Sequence, residues 1–286
     1  MLLERYGELA EDFKKTSIRK SFRVNTLKAP KDIIKRLEAK GVEIEKIPFL
    51  KNGYYYESSF SLGSSIEYLM GYIYLQEAAS QVPVEVLQPS KEDTVLDMAA
   101  SPGSKTTQLG SVMNNQGSIY ALEKDKRRIP SLVNNLERCG VTNTTVFNMN
   151  ALDVKKLGVV FDKILLDAPC SGNFCVEKDF FNKRKISDFN NRSALQKRLL
   201  EDAFGVLKKG GLLVYSTCSL EPEEDEEVVN WALKNLGCEV IPLSIGSRGV
   251  TSFYDKEYAD EVSGCARFWP HRHGTQGFFV AKLKKL

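Results

Sequence analysis

Apolar residues recur in two different rhythms along the chain. Up to about Tyr72 the order is mixed: FRVNT (Phe22 to Thr26) alternates like a strand, and KDIIKRLEAKG (Lys31 to Gly41) has helical spacing with a glycine stop. VEIEKIP and GYYYES read as strands around Asn52-Gly53, a dipeptide suited to a hairpin turn. From Asp93 the rhythm becomes regular. TVLDM, GSIYAL, TTVFNM, DKILLDAP and GGLLVYST are short apolar runs, most of them separated by the helix-like SKTTQLGSVM, KRRIPSLVNNLERCG and RSALQKRLLEDAFGVLKKG. GFFVAKL (Gly277 to Leu283) is a last strand candidate. This alternation predicts an α/β fold, a mostly parallel sheet with helices on both faces, preceded by a small α+β domain. We place the domains at residues 1–75 and 76–286, with Gly71 to Leu87 running between them.

Length and composition fit that division. A chain of 286 residues suits one large and one smaller domain, and 42% hydrophobic residues can fill a core. Forty basic against 37 acidic side chains leave a net charge of +3, so any nucleic-acid reading must rest on where the charge lies. Residues 1–50 carry 12 basic and eight acidic side chains. Six cysteines without a C-x-x-C pair, and only two histidines (His271 and His273), speak against a structural zinc site. MLLERYGELAEDF mixes charged and apolar residues at helical spacing, unlike a signal peptide. We therefore expect a soluble cytoplasmic protein with reduced thiols, binding neither metal nor membrane, and a monomer.

TVLDMAASPGSKTTQL (Thr94 to Leu109) reads as strand, tight turn, helix. The small residues Ala99, Ala100, Ser101, Pro102 and Gly103 let a ligand approach the backbone at a helix start, where the dipole favours negative charge. An ordinary βα turn would look the same, so the next strand matters. It ends at Glu123, twenty residues after Gly103, the spacing of a ribose-hydroxyl ligand in nucleoside-binding α/β folds. The full G-x-G-x-x-G pattern is missing, which argues against a dinucleotide.

Two further strands end in cysteine. LLDAPCSG (Leu165 to Gly172) places Asp167 and Cys170 at the carboxyl edge of the sheet, and LLVYSTCSLEPEEDEEVV (Leu212 to Val229) places Cys218 there. That edge is where α/β enzymes hold ligands. Buried small-hydrophobe packing is the commonest fate of cysteine, and we assign it to Cys139 and Cys238; Cys175 and Cys265 stay undecided. Two cysteines at two strand ends, each beside a serine, fit core packing poorly. The acidic run EPEEDEE reads as the start of a helix after Ser219 as cap, with its carboxylates at the positive end of the dipole.

The chain resembles the Sun-type RNA cytosine-5 methyltransferases over essentially its full length. FRVNTLK, YLQEAASQVP, LDMAASPGSKTTQL, LLDAPCSGN, LLVYSTCSLEPEEDEEVV and RFWPHRHGTQGFFVAKL carry the resemblance. It implies a Rossmann-like methyltransferase sheet, with S-adenosylmethionine as cofactor and RNA as partner. It also implies that Cys218 is the nucleophile and that Cys170 assists release of the methylated product. Ala99, Ala100, Ser101, Pro102, Gly103, Ser104 and Lys105 would hold the methionine part of the cofactor, and Glu123 its ribose. Asp167 would lie near cofactor and base, and Lys105 would reach the base. The third strand of relatives ends in an acidic residue at the adenine; NMNALD puts Asn150 there, whose amide can still hydrogen-bond adenine. The chemistry needs a thiol because carbon 5 of cytosine is a poor nucleophile until a thiolate adds to carbon 6. An ordinary cysteine is only about 3% thiolate at pH 7, so the site must lower its pKa or supply a base.

Lys178 to Arg198 holds seven basic and two acidic residues, with Phe180, Phe181 and Phe189 among them. Basic groups for phosphates and aromatics for stacking suit single-stranded RNA, although a solvated helix face with core phenylalanines would read alike. His271 and His273 receive no catalytic role. We expect a tRNA substrate by analogy with compact relatives. An rRNA enzyme and a catalytically silent RNA-binding protein are the alternatives.

Overall fold

The computed structural model describes residues 2–7, 11–12, 17–177 and 179–286. The helical reading of the first residues and the charge at Lys178 lie partly or wholly outside these. Strands β1 (Ser21–Val24), β2 (Glu43–Lys46), β3 (Gly53–Glu57) and β4 (Ile73–Leu75) form an antiparallel sheet in the order β2-β3-β1-β4. The helix Ile33–Glu38 buries Ile33 and Leu37 against it. The β2–β3 hairpin forms, but its turn is longer than a dipeptide: Lys46 pairs with Tyr54, and Ile47 and Leu50 are buried in the connection. A Cβ on Gly53 would lie 2.5 Å from Leu50 Cδ1, so this glycine starts β3 because nothing larger fits.

The larger sheet contains β5 (Thr94–Asp97), β6 (Ser118–Glu123), β7 (Thr144–Asn148), β8 (Phe161–Asp167), β9 (Leu207–Thr217), β10 (Cys238–Val240), β11 (Ser247–Arg248), β14 (Ala266–Phe268) and β15 (Phe278–Lys285). A separate small hairpin pairs β12 (Ser252–Phe253) with β13 (Lys256–Glu257). The order is β11-β14-β15-β9-β8-β5-β6-β7, with β10 on β15. Strands β5 to β9 are parallel and β15 is antiparallel to β9, giving the expected Rossmann-like methyltransferase sheet. Alternation along the strands builds two cores. Ile164, Leu166, Leu213 and Tyr215 face the helices Ile186–Val206 and Glu226–Asn235, whereas Leu165 and Val214 face the helix Val82–Leu87. The Ile186–Val206 helix starts earlier and ends sooner than the sequence pattern suggests, because VLKKG extends β9 from Leu207.

Polar residues of FRVNT dock the small sheet onto the large one. Arg23, 2% exposed, donates to Gln76 Oε1 (3.2 Å) and Thr107 Oγ1 (3.0 Å). Asn25 Nδ2 donates to the carbonyls of Gly71 (2.7 Å) and Cys139 (2.8 Å). A buried guanidinium and amide are tolerated because their hydrogen bonds cross the junction. Among the described residues, no helix is long and apolar enough to cross a membrane.

Candidate active site

The turn after β5 is folded around a buried carboxylate. Asp97, 1% exposed, accepts from Thr106 Oγ1 (2.8 Å) and from the Ala99 amide (3.3 Å). Burial pushes its carboxyl up to about 6 against the pull of these bonds. The reading of the sequence passed over Asp97, although an acid ending an apolar strand was a signal. Gly103, at φ +105°, passes the chain into the helix Ser104–Val112. Of the seven turn residues, Ala99 and Ser101 line a cavity of about 330 Å³ at the carboxyl edge of the sheet.

Glu123 closes one wall of that cavity. It is 5% exposed, its Oε1 accepts from the Asp125 amide (2.7 Å), and its Oε2 lies 3.4 Å from Arg128 Nη1. Arg128 in turn donates to the Ser101 carbonyl (2.6 Å), so the two predicted halves of the site are joined by an arginine the sequence reading did not single out. Asn150 lines the cavity beside Glu123, and its Oδ1 caps the following 3-10 turn by accepting from the Leu152 amide (3.1 Å). Leu122, Met149, Leu166 and Leu199 supply apolar walls. An acid for vicinal hydroxyls beside an apolar slot fits a nucleoside.

The chemical groups stand at the other end of the same cavity. Parallel pairing sets Asp167 on β8 opposite Ser216 on β9. Ser216 Oγ donates to Asp167 Oδ1 (2.7 Å), and Lys105 Nζ donates to Asp167 Oδ2 (2.6 Å) and to Ser80 Oγ (3.0 Å). Each strand then runs on to a cysteine, and the Sγ atoms of Cys170 and Cys218 lie 2.9 Å apart. The hydrogen bond shared with Cys170 holds the Cys218 thiol below its ordinary value; Lys105 adds to this, while burial, Asp167 and Glu224 oppose it. Cys170 moves well upward, through the same bond and its own burial. The two shifts run in opposite directions, so ionisation of the pair is favoured at Cys218 over Cys170. Cys139, Cys238 and Cys265 are buried, and Cys175 is half-buried.

Two expectations are overturned here. The acidic run is not a solvated helix start: the helix begins only at Glu226, and Glu221, Glu223, Glu224, Asp225 and Glu226 are all buried. Arg5 pairs with Glu221 (2.9 Å) and Glu223, and Arg267 pairs with Glu226 and Asp225. Ser219 Oγ accepts from the Glu221 amide (3.0 Å), closing a local turn and not capping the helix. Nor do the phenylalanines of the basic stretch form a stacking platform. Phe180 and Phe189 are 2% and 0% exposed and pack on each other, while Phe181 stacks on Phe174. Arg184 is committed to the Ser171 carbonyl and Glu177. Lys185, Arg192 and Arg198 remain exposed. Arg192 lines a second, polar cavity of about 520 Å³ that shares Cys170 with the first.

Comparison with known proteins assigns both parts of the chain. Residues 84–284 match the family described as 16S rRNA methyltransferase RsmB/F, and residues 1–78 match the N-terminal domain of 16S rRNA methyltransferase RsmF. The chain is 39% identical to a tRNA (cytosine(49)-C(5))-methyltransferase of Pyrococcus abyssi, covering 99% of this chain and 95% of the relative. It is 38% identical to the human 28S rRNA (cytosine(4447)-C(5))-methyltransferase over 93% of this chain, but spans only 34% of that protein. Among solved structures, a methyltransferase homolog from Pyrococcus horikoshii superposes with a TM-score of 0.92 at 43% identity, covering 99% of this chain and 93% of the other. NSun6 from Pyrococcus horikoshii, solved with SFG, gives 0.86 at 26% identity, covering 99% and 96%.

Proposed function

The chain belongs to the RsmB/F family of RNA cytosine-C5 methyltransferases, and from that premise we propose that it methylates a cytosine of tRNA through a transient bond between Cys218 and carbon 6 of the base. The observation that carries this reading is the thiol pair: two cysteines on adjacent strand ends, 2.9 Å apart, beside the Lys105–Asp167 couple. The Pyrococcus abyssi relative, matched over 95% of its own length, is named for tRNA, and this supports the tRNA reading.

S-adenosylmethionine, when bound, supplies an electrophilic methyl group on a positively charged sulfur. Glu123, Asn150 and the apolar side chains would hold its nucleoside, and the start of the turn, where Ala99 and Ser101 line the cavity, would hold its amino-acid part. Cys218 meets the base as a thiolate and adds to carbon 6, which makes carbon 5 nucleophilic. Asp167, fixed by Ser216 and Lys105, accepts hydrogen bonds from the amino group and the protonated ring nitrogen of the adduct. Adduct formation takes a proton onto the ring nitrogen, and Cys170, no longer facing a thiolate, gives one up. The Cys170 thiolate then accepts the carbon-5 proton after methyl transfer; loss of that proton breaks the Cys218–carbon bond, and the ring-nitrogen proton returns to solvent.

Two variants test the roles. Cys218→Ala abolishes transfer of tritiated methyl groups to unmodified tRNA. Cys170→Ala forms the adduct and holds it, giving a protein–RNA species that survives denaturing electrophoresis and is absent from the double variant. Trapping by Cys218→Ala instead reverses the roles, and two active, non-trapping variants exclude covalent catalysis by this pair. Preferential labelling of unmodified rRNA over tRNA refutes the substrate reading.

A further inference from the structure

The two cysteine loops are braced against each other by residues that use no thiol. Glu224 follows Cys218 by six positions, and its carboxylate is 0% exposed. Its Oε2 accepts from the Ser171 amide (3.0 Å) and from Gln196 Nε2 (2.9 Å), while its Oε1 lies 3.3 Å from the same Ser171 amide. Gln196 Nε2 also donates to the Pro169 carbonyl (3.0 Å). The residues on either side of Cys170 are thus both held, Ser171 directly by Glu224 and Pro169 through Gln196 of the helix Ile186–Val206, which Glu224 also binds. In return Asn173, from the Cys170 loop, donates to the Cys218 carbonyl (2.7 Å).

A buried carboxylate is an expensive choice of acceptor, and here its donors are neutral. Activation of the nucleophile does not explain it, because the charge of Glu224 opposes ionisation of both Cys170 and Cys218. What the carboxylate supplies is geometry: a charge-assisted bond to a backbone N–H is stronger than a neutral one, and this one lies next to Cys170 in the chain. We propose that Glu224 is the positioning residue that holds Cys170 against Cys218, acting through Ser171 and Gln196. The kinetic consequence rests on the covalent reading given above. Without the brace, Cys170 is present but misplaced, so the enzyme behaves as though the thiol were missing.

Two measurements separate this inference from the reading it rests on. The first needs no RNA. Phenylarsine oxide bridges two adjacent thiols with loss of water, so the wild-type protein binds it tightly and Cys170→Ala and Cys218→Ala do not. Glu224→Ala is expected to weaken that binding at least about tenfold, as loss of a charge-assisted hydrogen bond does. Glu224→Gln restores it, because one amide oxygen can replace Oε2 for both donors. Gln196→Ala, a milder change that keeps the carboxylate bond to Ser171, lowers it in the same direction. Undiminished arsenical affinity in a folded Glu224→Ala protein overturns the proposal. The second measurement compares single-turnover methyl transfer with steady-state turnover. Glu224→Ala should slow the first less than the second, lose at least about tenfold of the second, and accumulate covalent RNA complex as Cys170→Ala does. Trapping by Cys170→Ala with none by Glu224→Ala overturns the proposal while leaving the covalent reading intact. If Cys170→Ala itself does not trap, the covalent reading has failed, and arsenical binding alone decides the positioning role.

Discussion

Arg267→Met tests whether the buried acids behind Cys218 depend on one cation. The Arg267 side chain is 0% exposed on β14; its Nε and Nη2 engage both oxygens of Glu226, Nη2 lies 3.3 Å from Asp225 Oδ2, and Nη1 donates to the Leu220 carbonyl (2.9 Å). Methionine fills much of the volume but leaves two carboxylates without their counterion. Breaking a buried ion pair from one side costs about 3–5 kcal/mol. Unfolding entropy of roughly 2.1 cal/mol/K per residue converts that cost to a fall in melting temperature of about 5–8 °C for a chain of this size. The sign of the pH dependence follows from the same burial. Asp225 is held well above the usual carboxylate range even with Arg267 present, and removing the cation raises it further. An acid whose folded pKa is raised contributes stability at pH below its unfolded value, and that stability is lost as pH rises through the folded value. The deficit of the variant therefore does not shrink as pH rises, which a comparison at pH 5.5 and pH 7.5 reads out. Asp225 also accepts from Thr217 Oγ1 (2.5 Å), the residue before Cys218, so methyl transfer falls as well. Scanning calorimetry at both pH values decides the matter: a melting temperature within about 1 °C of wild type at pH 7.5 refutes the reasoning.

Other outcomes follow from the same structure. Glu123→Ala removes the acid predicted to hold the ribose hydroxyls, at roughly 1.5–3 kcal/mol per charged hydrogen bond, so calorimetry should show S-adenosylmethionine affinity at least about tenfold lower; unchanged affinity removes Glu123 from the site. Replacing the exposed Lys185, Arg192 and Arg198 by Ala should weaken RNA binding and flatten its salt dependence, with cofactor affinity held; an identical salt slope would mean that they only solvate a helix. Burial pushes the carboxyl of Glu77 up to about 7 against bonds from Gln276 and Ser80. Wild type should therefore lose stability relative to Glu77→Gln as pH rises from about 5 to about 8, and parallel melting curves across that range would contradict the assignment.

Strand alternation and helix spacing located the sheet because they report burial on a face, which the chain itself encodes. LLD and LLVYST on β8 and β9 each put alternate residues into opposite cores, and their ends delivered Asp167, Cys170 and Cys218 to one rim. The charged residues were harder, since a carboxylate reads as solvated until its partner is known. Glu221 to Glu226 look like a polar helix start, yet their cations come from Arg5, 216 residues from Glu221, and from Arg267, beyond four further strands. Arg23 and Asn25 in FRVNT read as the outward face of a strand, and their buried roles appear only once the small sheet meets the helices Ser104–Val112 and Ile129–Cys139. The basic run after Cys170 failed in the opposite direction: Lys185, Arg192 and Arg198 lie at the surface, but Arg184 is paired within the fold, and Phe180 and Phe189, on two successive helices, turn into the core. What periodicity cannot supply is pairing between distant segments, and in this protein the pairing decides which polar residues are scaffold. Of the acids that most resembled surface, Glu224 bonds across the two cysteine loops, whereas the burial of the others is offset by Arg5 and Arg267, residues that no local pattern ties to them.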